Sequence, residues 1–257
     1  MLKHSLLQRL RMKVAAIPGA RAAWNSLRLL CAPTFREDGL ATIHNCDFLR
    51  DARFLRALEA ARSHEVGVSI RWRMHVTQWA GQHAMQLDGD FVECGVNRGF
   101  LSASVMSYVE FASRRDRKFY LFDTYSGLVD ELVTSEDVAA HRHDYGDCHQ
   151  FVVDAFRAYP NVVIVKGIVP ASLSTVPITR VAYLSIDMNC VQPEIAAMEY
   201  FWPKLTGGGI VILDDYGFSG HEAQKRAADR FAASVGTQVL SLPTGQGLLI
   251  KPGDADV

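Results

Sequence analysis

The stretch Gly89-Asp90-Phe91-Val92-Glu93-Cys94-Gly95-Val96-Asn97-Arg98-Gly99 decides the fold. Its first half is a short β-prone run, and its second half is a glycine-punctuated turn. A segment rich in small residues follows (Ser102, Ala103, Ser104), as at the start of a helix packed close to a sheet. Four similar runs lie downstream, at 118–122, 162–165, 181–186 and 209–213, with helical segments between them. Runs that are apolar throughout, rather than alternating, belong to parallel strands covered on both faces. The reading is a doubly wound α/β sheet.

The chain's end refines it. Val239-Leu240-Ser241-Leu242 and Leu248-Leu249-Ile250 are separated by Pro243-Thr244-Gly245-Gln246-Gly247, too short for a crossover helix. These last two strands therefore pair as an antiparallel hairpin. A nicotinamide-binding domain normally keeps its last strand parallel. A seven-stranded sheet with the final strand reversed resembles the class I, Rossmann-like fold of S-adenosylmethionine methyltransferases.

Upstream of residue 86 the texture is helical, broken at Pro18-Gly19, Pro33 and Gly39. Two parts are expected: a helical N-terminal extension over 1–85 and the α/β domain over 86–257. Residues 1–36 carry seven Lys or Arg and no acid, with Leu2, Leu6, Leu10, Val14 and Ile17 at helical spacing. A membrane-surface helix and a helix packed on the main domain or a second subunit both remain open. Leu, Trp and Phe beyond what the sheet needs favour a homo-oligomer, at least a dimer.

Composition removes other classes. With 257 residues, 49% hydrophobic and 21% charged, the chain is neither disordered nor fibrous. A formal net charge of −1 gives no general attraction to nucleic acid. No uncharged apolar run reaches about 18 residues, so no stable membrane insertion is expected. The five cysteines (31, 46, 94, 148, 190) lack CxxC spacing and read as reduced thiols of a cytoplasmic protein.

Two chemical sites stand out. The first joins the Glu93–Gly99 turn to Phe122-Asp123. Glycines at 95 and 99 let backbone approach a ligand, and an acid at a strand tip can accept ribose hydroxyls. No GxGxxG is present. The second site gathers Asp187 with Asp214 and Asp215 at the ends of two neighbouring strands. Three carboxylates there repel unless a cation or proton intervenes, and oxygen-only ligands suit Mg²⁺. The alternatives are helix capping or pairing with an Arg.

These motifs, with Phe122-Asp123-Thr124-Tyr125-Ser126-Gly127-Leu128 and Leu213-Asp214-Asp215-Tyr216-Gly217, resemble the macrocin O-methyltransferase (TylF-like) family over about residues 70–252. The resemblance implies an S-adenosylmethionine- and Mg²⁺-dependent enzyme methylating a hydroxyl of a small-molecule acceptor, a sugar or glycosylated natural product. It implies cofactor contacts at Glu93, Gly95, Asn97, Gly99, Asp123, Ser126, Gly167 and Asp187, and metal ligands at Asp187, Asp214 and Asp215. One departure matters. Where the family's fourth-strand motif carries a second Asp, its proposed general base, this chain has Asn189. A neutral amide orients a hydroxyl but does not take its proton. The proton then goes to His221, Glu194 or water, and His221 ranks first because its ordinary pKa suits neutral pH. The catalytic set is thus His221, Asn189 and Asp187.

Residues 129–150 form a polar insert beside the crevice, suited to a lid; His141, His143 and His149 read as solvated loop histidines. Trp72, Arg73 and His75 read first as helix-on-sheet packing, with a place beside cofactor or acceptor as the alternative. Two rival functions remain: an NAD-dependent oxidoreductase or sugar epimerase, and a non-catalytic S-adenosylmethionine- or metabolite-binding partner.

Overall fold

The computed structural model describes residues 18–65, 67–137 and 145–253. The expected helical spacing before residue 18 and the expected loop histidines His141 and His143 lie outside the described residues. Two compact units divide between Leu49 and Arg50.

In the first unit, helix α1 (Ala20–Cys31) buries none of its residues. The Arg36 guanidinium donates to the carbonyls of Leu29 and Leu30 at 2.7 and 3.0 Å, which satisfies acceptors that a helix end leaves open. Strands β1 (Phe35–Glu37) and β2 (Leu40–Thr42) form an antiparallel hairpin. The expectation of helix broken only by turns fails here. Asp38-Gly39 takes positive φ at both positions (51° and 73°), the conformation of a tight two-residue hairpin turn.

The second unit begins with helix α2 (Ala52–Arg62), capped by Asp51, whose Oδ1 accepts from the backbone N–H groups of Arg53 and Phe54. Helix α3 spans Arg71–Ala84. These helices belong to the same compact unit as the sheet, so the boundary falls at 49/50 and not near 85. The reason is burial. Phe54, Ala57 and Leu58 of α2 and Met74, Ala80 and Ala84 of α3 are core residues. At Gly81 of α3 an added Cβ would sit 2.7 Å from the Val105 side chain, so α3 and its neighbour are in close contact.

The sheet holds β3 (Asp90–Cys94), β4 (Phe119–Asp123), β5 (Val162–Lys166), β6 (Val181–Ile186), β7 (Leu205–Leu213), β8 (Leu240–Ser241) and β9 (Gly247–Ile250). Their order is β5-β4-β3-β6-β7-β9-β8. The first five are parallel, whereas β9 runs antiparallel to both β7 and β8, as the short 243–247 link requires. Helices α4 (Phe100–Tyr108), α5 (His149–Ala155), α6 (Val191–Phe201) and α7 (Glu222–Ser234) complete the layers. Side chains alternate between two apolar layers: Val92, Leu184 and Val211 enter one, and Phe91, Tyr183 and Ile210 the other. Strand order reverses between β3 and β6. The crevice at the carboxyl ends of those strands is where such a sheet binds its ligands.

Candidate active site

Three strand tips are stitched together around Gly95. Its N–H donates to the Phe122 carbonyl and the Asp187 N–H donates to the Cys94 carbonyl, both at 2.9 Å. Gly95 has φ of 86°, and a Cβ there would overlap the backbone carbonyl of Asp187. Glycine is required on both counts. The turn is braced by Asp123, whose Oδ2 accepts from the N–H groups of Val96 (2.6 Å) and Asn97 (2.7 Å) while Oδ1 accepts from Tyr125 N–H (2.7 Å). The Asp123 carboxylate was expected to face a ribose. It stands at the cavity wall, but its first task is to hold the glycine turn.

Two cavities open beside this turn. The first is lined by Gly95, Asp123, Tyr125, Gly167, Ile168 and Met188, among others. The second is lined by Arg73, Glu93, Asp214, Asp215, Phe218 and His221, among others. Asn97, Tyr145, Asp187 and Asn189 line both. The two spaces therefore share a seam at the tips of β3 and β6.

The second cavity is rich in acids. Glu93 is buried on β3 and accepts from the Ser102 hydroxyl; burial pushes its carboxyl up to about 8. Asp187, Asp214 and Asp215 converge, with one oxygen of each within 4.8 Å of the others. Burial, then the charges of Asp215 and Asp214, push the Asp187 carboxyl well above the ordinary range, while Arg73 pulls it back. Asp214 is 1% exposed; its Oδ2 accepts from the Arg73 guanidinium and its Oδ1 from the Gln246 side-chain amide at 2.8 Å. One guanidinium leaves this group of three acids net negative. Hard oxygen donors, mutual repulsion and close convergence fit Mg²⁺.

Asn189 sits in the left-handed region (φ 58°), which Asn tolerates better than most residues. Its side-chain amide faces Asp187 Oδ1 and the Tyr145 hydroxyl, each at 3.4 Å. His221 is buried at the start of α7, with Nδ1 2.9 Å from the Gln224 amide nitrogen and 3.6 Å from Asp215 Oδ2. Glu194 lies in the first turn of α6. It is buried, its Oε1 accepts from Met188 N–H at 3.3 Å, and burial drives its carboxyl well up.

Other expected residues land elsewhere. Gly99 lines neither cavity; its φ of 84° starts α4, and a Cβ would meet the Phe156 ring at 2.6 Å. Ser126 is exposed and also off both linings. Gly167 lines the first cavity, where a Cβ would meet that of Ser172 at 2.9 Å. Sequence reasoning ranked the site role of one residue second and missed two others. Arg73, read first as packing, pairs with Asp214 inside the site. Tyr145, inside the polar insert and not singled out by sequence, lines the seam. Gln246, in the hairpin loop, reaches Asp214 from 32 residues away, a contact that no local pattern announces. Asp137, fully buried, accepts Val191 N–H at 2.9 Å and so ties the insert after β4 to the start of α6.

Comparison with known proteins gives a consistent result. The family described as Macrocin-O-methyltransferase (TylF) matches residues 71–239. Demethyldecarbamoylnovobiocin O-methyltransferase of Streptomyces niveus is 29% identical over 138 residues, half of this chain. A Streptomyces olivaceus enzyme, 8-demethyl-8-(2,3-dimethoxy-alpha-L-rhamnosyl)-tetracenomycin-C 4′-O-methyltransferase, is 26% identical over the same length. The chain spans about half the length of these relatives (53% of each). Among solved structures, the O-methyltransferase NovP superposes with a TM-score of 0.63 at 24% identity, covering 70% of this chain and 79% of NovP. The calicheamicin methyltransferase CalS11 gives 0.58 at 19% identity, covering 81% and 94%. These likenesses establish the class I methyltransferase fold.

Proposed function

This chain belongs to the macrocin O-methyltransferase (TylF) family, and on that premise we propose that it transfers a methyl group from S-adenosylmethionine to a hydroxyl of a sugar or glycosylated small molecule, assisted by Mg²⁺. The observation that carries the reading is the shared seam: Asn97, Tyr145, Asp187 and Asn189 line both cavities, so a donor in one and an acceptor in the other would meet there. The relatives that act on novobiocin and tetracenomycin precursors support a glycosylated acceptor.

Bound S-adenosylmethionine supplies an electrophilic methyl group on a sulfonium, so alignment and water exclusion are the protein's main contributions. The cofactor residues are Glu93, Gly95, Asn97, Asp123, Gly167 and Asp187; Gly99 supports the turn through packing. Glu93, buried beside the seam, would ionise as the cationic end of the ligand binds, because a neighbouring positive charge favours the carboxylate. Asp187, Asp214 and Asp215 would hold Mg²⁺, which when bound lowers the pKa of a coordinated hydroxyl and fixes its direction. Asn189 orients the acceptor hydroxyl at the seam. His221 takes the proton at Nε2. Gln224 Oε1 makes no hydrogen bond in this amide orientation; with the amide flipped, Oε1 accepts Nδ1–H and leaves Nε2 basic.

The exposed Trp24, Leu27 and Leu30 of α1 support a homo-oligomer, which light scattering tests: a monomer at micromolar concentration removes that part. Among the described residues no helix is long and apolar enough to cross a membrane. The catalytic test is mass spectrometry of candidate glycosides incubated with S-adenosylmethionine. One added methyl per acceptor, lost with excess EDTA while cofactor binding persists, is expected. Full transfer in EDTA would refute the metal's role.

A further inference from the structure

Arg73 has no assigned part in this reaction, yet its guanidinium lies inside the carboxylate cluster. It is on the first turn of α3 and donates to Asp214 Oδ2. The two side chains are 16% and 2% exposed, so the pair is largely out of water. The remaining Asp214 oxygen is held by Gln246. Arg73 also lies 5.0 Å from the centre of the Phe218 ring, within range of a cation–π contact. Both Arg73 and Phe218 line the second cavity with Asp187, Asp214 and Asp215.

Three converging acids, Asp214 buried and Asp187 and Asp215 half-buried, would repel one another without a cation and disorder the strand tips that carry them. An arginine is suited to hold them because it stays charged at any working pH. A divalent cation placed among the same oxygens would meet that positive charge at close range. We propose that Arg73 is a resident counter-ion that keeps the Asp187–Asp214–Asp215 cluster assembled when no metal is bound, and that competes with the metal for Asp214. This rests on the reading of that cluster as the Mg²⁺ site. Arg73 would yield Asp214 Oδ2 to a bound metal while keeping its place beside the Phe218 ring. Arg73 is thus a positioning residue that sets metal affinity, distinct from the ligands themselves.

The test is Mg²⁺ binding to the full chain by titration calorimetry, without cofactor or acceptor, alongside thermal unfolding with and without Mg²⁺. Arg73→Gln should bind Mg²⁺ at least about tenfold more tightly than the wild type. It should also melt lower without metal and gain more in melting temperature on metal addition. Equal affinity in the two proteins, or weaker binding by Arg73→Gln, overturns the proposal while leaving the metal site standing. No Mg²⁺ binding by either protein overturns the metal reading and this proposal with it. Should Arg73→Gln fail to fold, Arg73→Lys decides. It keeps the charge without the planar fork, so its Mg²⁺ affinity should rise a few-fold; an unchanged affinity refutes competition at Asp214.

Discussion

Replacing Glu93 with Gln removes one buried ionisation and should flatten the protein's pH–stability curve. Burial raises this carboxyl from 4.5 to about 8, and the Ser102 hydroxyl bonded to it only partly offsets that. A folded-state pKa above the unfolded value means that the folded protein binds the proton more tightly. Its stabilising effect is fully present below about pH 4.5 and is lost as pH rises through about 8. The full span is worth about 4–5 kcal/mol, of which about 3–4 kcal/mol falls between pH 5 and pH 8. Asp187 and Glu194, both also raised, contribute slopes of the same sign in both proteins. The difference between wild type and Glu93→Gln therefore isolates Glu93. Urea unfolding of both proteins, free of cofactor and metal, should show them closest near pH 5, with the wild type falling progressively behind the variant as pH rises. Parallel curves from pH 5 to pH 8 would refute the claim that Glu93 is buried with a displaced proton equilibrium.

Four further outcomes follow from the same geometry. Gly95→Ala combines a left-handed φ with overlap of the Asp187 carbonyl. It should cost more than about 2 kcal/mol, lowering the melting temperature by about 4–8 °C, and should also abolish S-adenosylmethionine binding. Gly99→Ala combines a left-handed φ with a clash against the buried Phe156 ring, away from both cavities, and should destabilise without that loss. Asp123→Asn exchanges an oxygen that accepts backbone N–H for an amide that cannot fill both positions. Calorimetry should then show S-adenosylmethionine affinity falling about 10- to 100-fold. His221→Gln should reduce turnover at neutral pH by about 10²-fold and remove the acidic limb of the pH–rate profile; a variant that keeps both excludes His221 as the base.

What was legible in the sequence was what local chemistry dictates. Parallel strands covered on both faces are apolar throughout, so β3 to β7 could be read from residues such as Phe91-Val92 and Leu184. The five-residue link before Gly247 required the reversed final strand. Gly95 and the Asp214-Asp215 pair were visible because backbone approach and clustered charge restrict the residue types allowed. What stayed hidden depends on three-dimensional closure. Burial of Phe54 and Met74 joins α2 and α3 to the sheet's unit, although their sequences resemble the helical texture before them. Asp38-Gly39 hid a hairpin too short to show a strand period. The partners of Asp214, Arg73 and Gln246, come from opposite ends of the second unit. Asn189 was legible as a departure, but its neighbour Tyr145 across the seam was not.

The most direct test of the central claim is calorimetric titration of the purified chain with S-adenosylmethionine and, separately, with NAD. Saturable binding of S-adenosylmethionine, weakened by Asp123→Asn, with no binding of NAD, is the predicted result. Tight binding of NAD with none of S-adenosylmethionine would contradict the account.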